Sequence, residues 1–330
     1  MSLAAYVRAL GRGPGRSRSL ERPEARDALS QILAGTAEPE ATGALLMLMR
    51  YRGETAEEIA GFVDALRDAA GPFTGTSPAL DWPSYAAGRT RGLPWFLLAA
   101  KLVARSGQSV LLHGWNSHQA DHARVRDVLG SLGIAIAGSL EGAADLIQRQ
   151  GIAYLPLEAV SPAALDVLRL RDVLGLRSPI NTALRLFNPS RARTSVQGVF
   201  HPPYRALQRD AAALLGQPRQ MVLKGAGGEF ERTPAKPVQL MGLRSGSAFE
   251  ITAPALMEEA PGRHAEGPDL KDPGALAGLW EGRQSDPYAE AIVLGTAAAA
   301  FHALGNASDL DICLDLARRL WSVRQSRQAA

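Results

Sequence analysis

Residues 21–70 read ERPEARDALSQILAGTAEPEATGALLMLMRYRGETAEEIAGFVDALRDAA. Pro23-Glu24 fits a helix start, and the turns that follow place Ala25, Ala28, Leu29, Ile32 and Leu33 on one face before Gly35 closes the helix. A second helix is predicted over Glu40–Tyr51, apolar at Leu45, Leu46, Leu48 and Met49 and ended by Gly53. Thr55-Ala56-Glu57-Glu58 is an N-cap followed by acids in the first turn, which favour the positive end of the helix dipole. Ile59, Phe62, Val63 and Leu66 then form the stripe of a third helix. Three short amphipathic helices in 50 residues predict a small helical unit. The stretch Gly71–Pro94, rich in Gly, Pro and Ser, reads as its boundary.

Beyond this boundary the pattern alternates. Pro94–Ser106 reads as a buried helix, Ser109–His113 as a short buried strand, and Asp121–Leu132 as a helix. A short helix over Ala144–Arg149 leads into a strand at Ile152–Leu155. Ser195–Phe200 and Gln220–Leu223 are further strands around the helix Tyr204–Leu215, Val238–Leu240 and Phe249–Ile251 have an antiparallel look, and the tail supplies helices at Ala289–Leu304 and Leu310–Val323. Strands alternating with helices indicate an α/β layer with parallel pairing. Pro162–Phe187 is helical without a strand and could return to the N-terminal bundle. The expected layout is a helical domain at 1–72 completed by about 162–190, and an α/β domain at 73–161 and 191–330.

The chain has 330 residues, 46% of them hydrophobic, enough for a substantial core and unlike a disordered or collagenous chain. One cysteine, Cys313, excludes an internal disulfide framework and a multi-cysteine metal site. The opening MSLAAYVRALGRG lacks an apolar run of signal-peptide length, and Ala291–Phe301 is too short to cross a bilayer, so a cytoplasmic protein without membrane partners is expected. Formal charge is +3, unevenly spread. Residues 1–168 carry 16 basic and 17 acidic groups, residues 169–209 eight arginines against Asp172, and residues 210–330 carry 12 and 15. Of the 36 basic residues four are lysines, and the arginines offer planar forks suited to phosphate or carboxylate. His118 and His122 sit one helical turn apart, but with Gln119 after the first and no third ligand they read as a solvated face rather than a metal site.

The opening run is similar to the start of anthranilate phosphoribosyltransferases. There a helix pair leads through Lys/Arg-Gly-Glu-Thr-x-Glu-Glu-Ile, here Arg52–Ile59, into a third helix. Gly175-Leu-Arg-Ser-Pro-Ile-Asn-Thr-Ala-Leu-Arg-Leu-Phe-Asn-Pro189 resembles the family's Gly-x-Arg-Thr-x-x-Asn-x-x-x-Pro-Leu-x-Asn-Pro, and Gln197-Gly-Val199 its Gly-Val strand. The resemblance runs in order from about Arg18 to Leu320. It implies a small all-helical domain beside a large α/β domain, of nucleoside phosphorylase/phosphoribosyltransferase type, ligands in the cleft between them, and a homodimer.

The family's phosphate devices are altered. In place of a Gly-Thr-Gly-Gly-Asp loop, whose backbone N–H groups cradle phosphate, the chain has Leu80-Asp-Trp-Pro-Ser-Tyr-Ala-Ala-Gly-Arg-Thr-Arg-Gly-Leu-Pro-Trp95, with Arg89 and Arg91. A Lys-His-Gly-Asn-Arg motif reads Leu112-His113-Gly114-Trp115-Asn116. The Asp-Glu pair that holds magnesium aligns with Phe230-Glu231; shifted by one residue, Glu229 and Glu231 supply two hard carboxylates. Arg177 matches the arginine that contacts the aromatic acid in the enzymes. The altered motifs are similar to the YbiB branch of the family, which keeps the fold and dimer, lacks the activity and binds nucleic acid.

On that resemblance the first expectation is a non-catalytic homodimer that binds nucleic acid, DNA foremost, through a cationic groove and with no cofactor. Its phosphate contacts would be Arg89, Arg91, His113, Arg177, Arg185, Arg191, Arg193, Lys224, Arg232 and Lys236, with the backbone of Gly225, Gly227 and Gly228. Trp82 and Tyr85 divide evenly between base stacking and loop packing, and Trp95 reads as core. The alternative is a phosphoribosyl- or glycosyltransferase that uses phosphoribosyl pyrophosphate and Mg²⁺, the metal on Glu229 and Glu231, with an altered acceptor.

Overall fold

The computed structural model describes residues 2–85, 92–115, 124–258, 272 and 274–325. The N-terminal part is helical: α1 (Leu3–Gly11), α2 (Arg22–Leu33), α3 (Pro39–Arg52) and α4 (Ala56–Ala70). Thr55 caps α4: its Oγ1 accepts the Glu58 N–H at 3.2 Å, and Glu58 Oε2 accepts the Thr55 N–H at 2.8 Å. Glu58 Oε1 also accepts the Leu20 N–H at 2.9 Å, so this buried carboxylate ties α4 to the start of α2. Helices α2 and α4 cross at Gly61, where a Cβ would lie 2.3 Å from the Arg22 carbonyl oxygen.

The larger part begins with β1 (Leu80–Ser84), followed by α5 (Phe96–Arg105), β2 (Val110–Gly114), α6 (Val125–Leu129), α7 (Leu140–Gln150) and β3 (Ile152–Pro156). Four short helices follow: α8 (Leu157–Val160), α9 (Pro162–Arg169), α10 (Arg171–Leu174) and α11 (Ile180–Ala183). The chain then alternates through β4 (Thr194–Val199), α12 (Tyr204–Leu214) and β5 (Arg219–Lys224), adds the hairpin β6 (Val238–Arg244) and β7 (Ser247–Ala253), and ends in α13 (Gly274–Trp280), α14 (Pro287–Leu304) and α15 (Leu310–Ser322).

The seven strands form one sheet in the order β3-β2-β1-β4-β5-β6-β7. The first five pair in parallel, and β6 and β7 add antiparallel edges. The fold is thus a small helical domain beside a larger mixed α/β domain, as the resemblance implies. Strands β1 to β4 are buried along their whole length, as expected of a parallel sheet covered on both faces. Helix α14, apolar all round, packs against α5 and α15 in the core of this domain. Among the described residues no helix is long and apolar enough to cross a membrane.

β1 lies inside the sheet, between β2 and β4, within the stretch that reads as a linker. Its residues Leu-Asp-Trp-Pro-Ser look like loop, yet β1 pairs β2 over all five positions, from Leu80↔Val110 to Ser84↔Gly114. Pairing with β4 runs only through Leu80↔Thr194 and Asp81↔Ser195, so it stops before Pro83, whose nitrogen has no hydrogen to donate. A second departure is α1, a helix in the stretch before the quoted run.

The helical core joins Leu29, Leu45 and Phe62 of the first helices to Leu168, Ile180 and Leu184 from the α9–α11 segment. A separate core runs through the α/β layers, from Trp82 and Phe96 to Phe301 and Trp321.

Candidate active site

The strand order changes direction between β1 and β4, and in open α/β sheets ligands bind outside the carboxyl ends of strands at such a point. Three segments meet there: Ser84-Tyr85 at the end of β1, Phe200-His201 after β4, and the loop 225–231 after β5. The loop is pulled close to β4. A Cβ at Gly198 would lie 1.9 Å from the Glu229 carbonyl carbon, and one at Gly225 1.7 Å from its oxygen, so only glycine permits this approach. Glu229 is buried, and its Oε1 accepts the Ser84 hydroxyl at 2.9 Å. Glu231 is also buried, but its Oε2 accepts the Phe96 N–H at 3.0 Å, in the first turn of α5. The two carboxylates therefore have different partners.

Behind β1 lies a buried polar chain. The Tyr85 hydroxyl is 3.0 Å from His113 Nδ1, His113 Nε2 is 3.0 Å from Asp81 Oδ1, and Ser195 Oγ donates to Asp81 Oδ2 at 2.8 Å. Burial pushes the Tyr85 hydroxyl well above its ordinary pKa. Inside the sheet each of the two polar side chains has one hydrogen-bond partner, Ser195 for Asp81 and Tyr85 for His113, and they face one another as a close polar pair.

Beside the loop, where α3 and the turn after it, α10, α11 and α12 meet the end of β4, is a cavity of about 280 Å³. Arg50, Arg171, Arg177 and Arg185 line it, with Glu54 the one carboxylate among its described walls. Arg50 donates to the Tyr204 hydroxyl, which donates to Glu54 Oε2 at 3.0 Å. Burial raises the Glu54 pKa despite Arg50. Arg177 is held down to about 10, first by burial and then by the charges of Arg185, Arg171 and Arg50. Buried Arg185 donates to the carbonyls of Asn181 at 3.2 Å and Tyr85 at 3.4 Å. Arg171 Nη1 is buried with no hydrogen-bond partner among the described residues. Four guanidinium groups against one carboxylate make its described walls predominantly cationic, chemistry that suits an anionic ligand.

The sequence-predicted contacts do not share one groove. Arg177 and Arg185 enter the cavity, and Gly228 abuts it, a Cβ there lying 3.5 Å from Arg185 Nη2. Arg191 borders a different hollow, with Arg67. Arg193 is exposed beside the start of β4, its carbonyl accepting Gln217 Nε2 at 2.9 Å. Lys224 and Lys236 are exposed, whereas Arg232 is core, its side chain donating to the Pro254 carbonyl and its N–H to Thr296 Oγ1. His113 is enclosed by Asp81 and Tyr85 and cannot meet a phosphate backbone. The N–H groups of Gly225 and Gly228 are taken by the Val199 and Gly225 carbonyls. Trp82, Tyr85 and Trp95 are all buried, which settles them as packing residues. Arg89, Arg91, His118 and His122 lie outside the described residues. Sequence reasoning missed Arg50, Glu54, Arg171 and Tyr204 as cavity residues; Glu54 stands in the Arg-Gly-Glu-Thr motif, which reads in the sequence only as a helix start.

Comparison with known proteins gives a consistent picture. The helical bundle domain of a glycosyl transferase family matches residues 4–70, and the a/b domain of that family matches residues 97–322. The chain is similar to anthranilate phosphoribosyltransferase of Methylocella silvestris, 32% identical over 300 residues covering 88% of this chain and 84% of that protein. It is similar to the Thermus thermophilus enzyme of the same name, 31% identical over 305 residues and 91% of each chain. A crystal structure of the Thermus thermophilus enzyme superposes with a TM-score of 0.82 at 26% identity, covering 98% of this chain and 95% of that one. The Saccharomyces cerevisiae enzyme in complex with PRPP and Mg shares the fold at a TM-score of 0.76 and 16% identity, over 98% and 94% of the two chains.

These relatives overturn the expectation of a non-catalytic nucleic-acid binder, and with it nucleic acid as the partner and DNA binding as the activity. They are named as phosphoribosyl-transferring enzymes, and the similarity spans nearly the whole length of both proteins. The structure supplies a physical reason. The arginine-dense segment 169–209 is continuous only in sequence. Folded, its charges divide between a half-open cavity, a separate hollow and pairs such as Arg209 with Asp210 at 2.7 Å.

Proposed function

Since the chain belongs to the glycosyl transferase family that joins a helical bundle to an a/b domain, we propose that it is a phosphoribosyltransferase using phosphoribosyl pyrophosphate and Mg²⁺ on an acceptor that differs from the family's usual one. The observation that carries this reading is the four-arginine cavity beside the glycine loop that bears Glu229, at the switch point of the sheet. Altered motifs of the kind that suggest the YbiB branch are, on this reading, changes in how an enzyme holds its anionic substrates.

The donor set accommodates magnesium. Among the described residues no three His, Cys, Asp or Glu side chains group as a metal site, so the protein would supply one or two carboxylates and the substrate the remaining oxygens, which is magnesium's habit with phosphates. On this reading Glu229, on the loop after β5 and hydrogen-bonded to Ser84 at the end of β1, would hold it, whereas Glu231 accepts from the first turn of α5. When bound, Mg²⁺ neutralises charge on the pyrophosphate leaving group. The protein's own part is placement. Arg177 anchors an anionic group of the acceptor, Arg50 and Tyr204 hold Glu54 within the cavity wall, and the short glycine contacts fix the loop against β4. Positioning of this kind removes much of the entropic barrier to joining two bound molecules.

Calorimetry with phosphoribosyl pyrophosphate, with and without Mg²⁺, tests the reading. Saturable, metal-dependent binding is expected, together with pyrophosphate release when a panel of aromatic and aliphatic acids is supplied. A flat titration would remove the proposal.

A further inference from the structure

The motif over Gly175–Pro189 departs from its family pattern at an informative place. At position 185 the pattern has proline, an uncharged side chain; here Arg185 stands there, buried, its guanidinium in the cavity wall beside Arg177. Arg171 and Arg50 line the same space, and Arg171 Nη1 is buried with no hydrogen-bond partner among the described residues. The balancing groups are few. Glu54 is bound to Tyr204, and burial lowers the Arg185 pKa with Glu229 opposing it only in part. A single carboxylate ligand would engage one guanidinium fork and leave the others mutually repelled. A second anionic group on the same ligand relieves that repulsion and supplies acceptors for the unused donors.

We infer that the acceptor of the proposed transfer is a small molecule carrying two anionic groups, one held by Arg177 and the second by Arg185 together with Arg171. This rests on the transferase reading and adds the substrate class. The bound molecule is compact, because the cavity of about 280 Å³ sits at the lower end of small-molecule sites. Its apolar part faces Leu176 and Phe200, both partly exposed at the cavity wall. Arg185 and Arg171 are then specificity-determining residues. They set which acceptor enters and take no part in bond making.

The test is calorimetry on the full chain with benzoate, phthalate and phenyl phosphate as probes. The first carries one charge; the other two carry two, in carboxylate and phosphate form. Phthalate or phenyl phosphate binds at least about tenfold tighter than benzoate, the size expected of one more charge-assisted hydrogen-bonded pair. Whichever of the two binds tighter identifies the second group as carboxylate or phosphate. Arg185→Gln and, on exposed α10, Arg171→Gln each shrink that preference while benzoate binding persists. Equal affinity for benzoate and both dianions in the unaltered protein overturns the inference, as does a preference that survives both substitutions. Should Arg185→Gln fail to fold, Arg171→Gln and the probe ranking still decide. Titration of phosphoribosyl pyrophosphate with Mg²⁺ in the same series separates the two ideas. Donor binding without a dianion preference sinks the inference alone. A dianion preference beside a flat donor titration sinks the transferase reading and, with it, the role of the dianion as acceptor.

Discussion

Glu229 and Glu231 stand two residues apart, are equally buried, and differ in what their oxygens touch. Glu229 meets Ser84 at the end of β1, and Glu231 meets the first turn of α5. Their substitutions therefore separate function from stability. Glu229→Gln is expected to weaken Mg²⁺-dependent binding of phosphoribosyl pyrophosphate by roughly tenfold or more with little change in unfolding, because one charge-assisted ligand is lost. Glu231→Ala is expected to lower stability by about 1–3 kcal/mol, measured by urea unfolding, because a buried N–H loses its acceptor. The reverse pattern would assign the metal to Glu231. In the sequence these two glutamates are indistinguishable, since what separates them is a contact with residues more than a hundred positions away. The same holds for His113 and Arg232: each reads as a phosphate ligand on residue type, and each is enclosed by long-range partners, Asp81 and Tyr85 in one case and Thr296 and Pro254 in the other.

At the scale of the element, helices announced themselves and strand β1 did not. The stripes of α2 to α4 show in the sequence because each helix buries one face of its own, a local property with a fixed period. That strand has no such signature. β1 carries an aspartate, a proline and a serine within five residues, and it becomes a strand because β2 and β4 flank it, Ser195 donates to Asp81 and His113 lies against it. The crossing of α2 and α4 makes a sharp prediction. Gly61→Ala places a methyl group against the Arg22 carbonyl and the Ala25 side chain, and is expected to cost about 1–3 kcal/mol through overpacking. A midpoint in chemical denaturation equal to that of the unaltered protein would show that the crossing yields without strain.

For the molecule as a whole, the cavity is shared. Arg50 and Glu54 come from α3 and the turn after it, Arg177 and Arg185 from the α9–β4 segment, and Phe200, His201 and Tyr204 from the end of β4 and the start of α12. A ligand there touches both the helices and the end of β4 and is expected to stabilise the two parts together. Phthalate at a hundred times its dissociation constant is expected to add about 2.7 kcal/mol and to raise one common thermal transition. Two transitions, of which only one moves, would show that the cavity belongs to a single core. The family and fold were legible from motifs that recur in order along the chain. Charge summed along the segment 169–209 points to a polyanion partner, whereas binding depends on where each guanidinium ends in space.

The helical core has a consequence for biosynthesis. Its contacts join residues before 70 to Leu168, Ile180 and Leu184. A nascent chain that has just released α4 from the ribosome therefore holds only part of that core, and the missing part arrives after β1, β2 and β3 have been made. At an elongation rate of roughly 5–20 residues per second, the first helices wait several seconds with an apolar face uncovered. The capping box of Thr55 and Glu58, with the hydrogen bond from Leu20, lies wholly within the early segment and can hold α2 to α4 together during that interval.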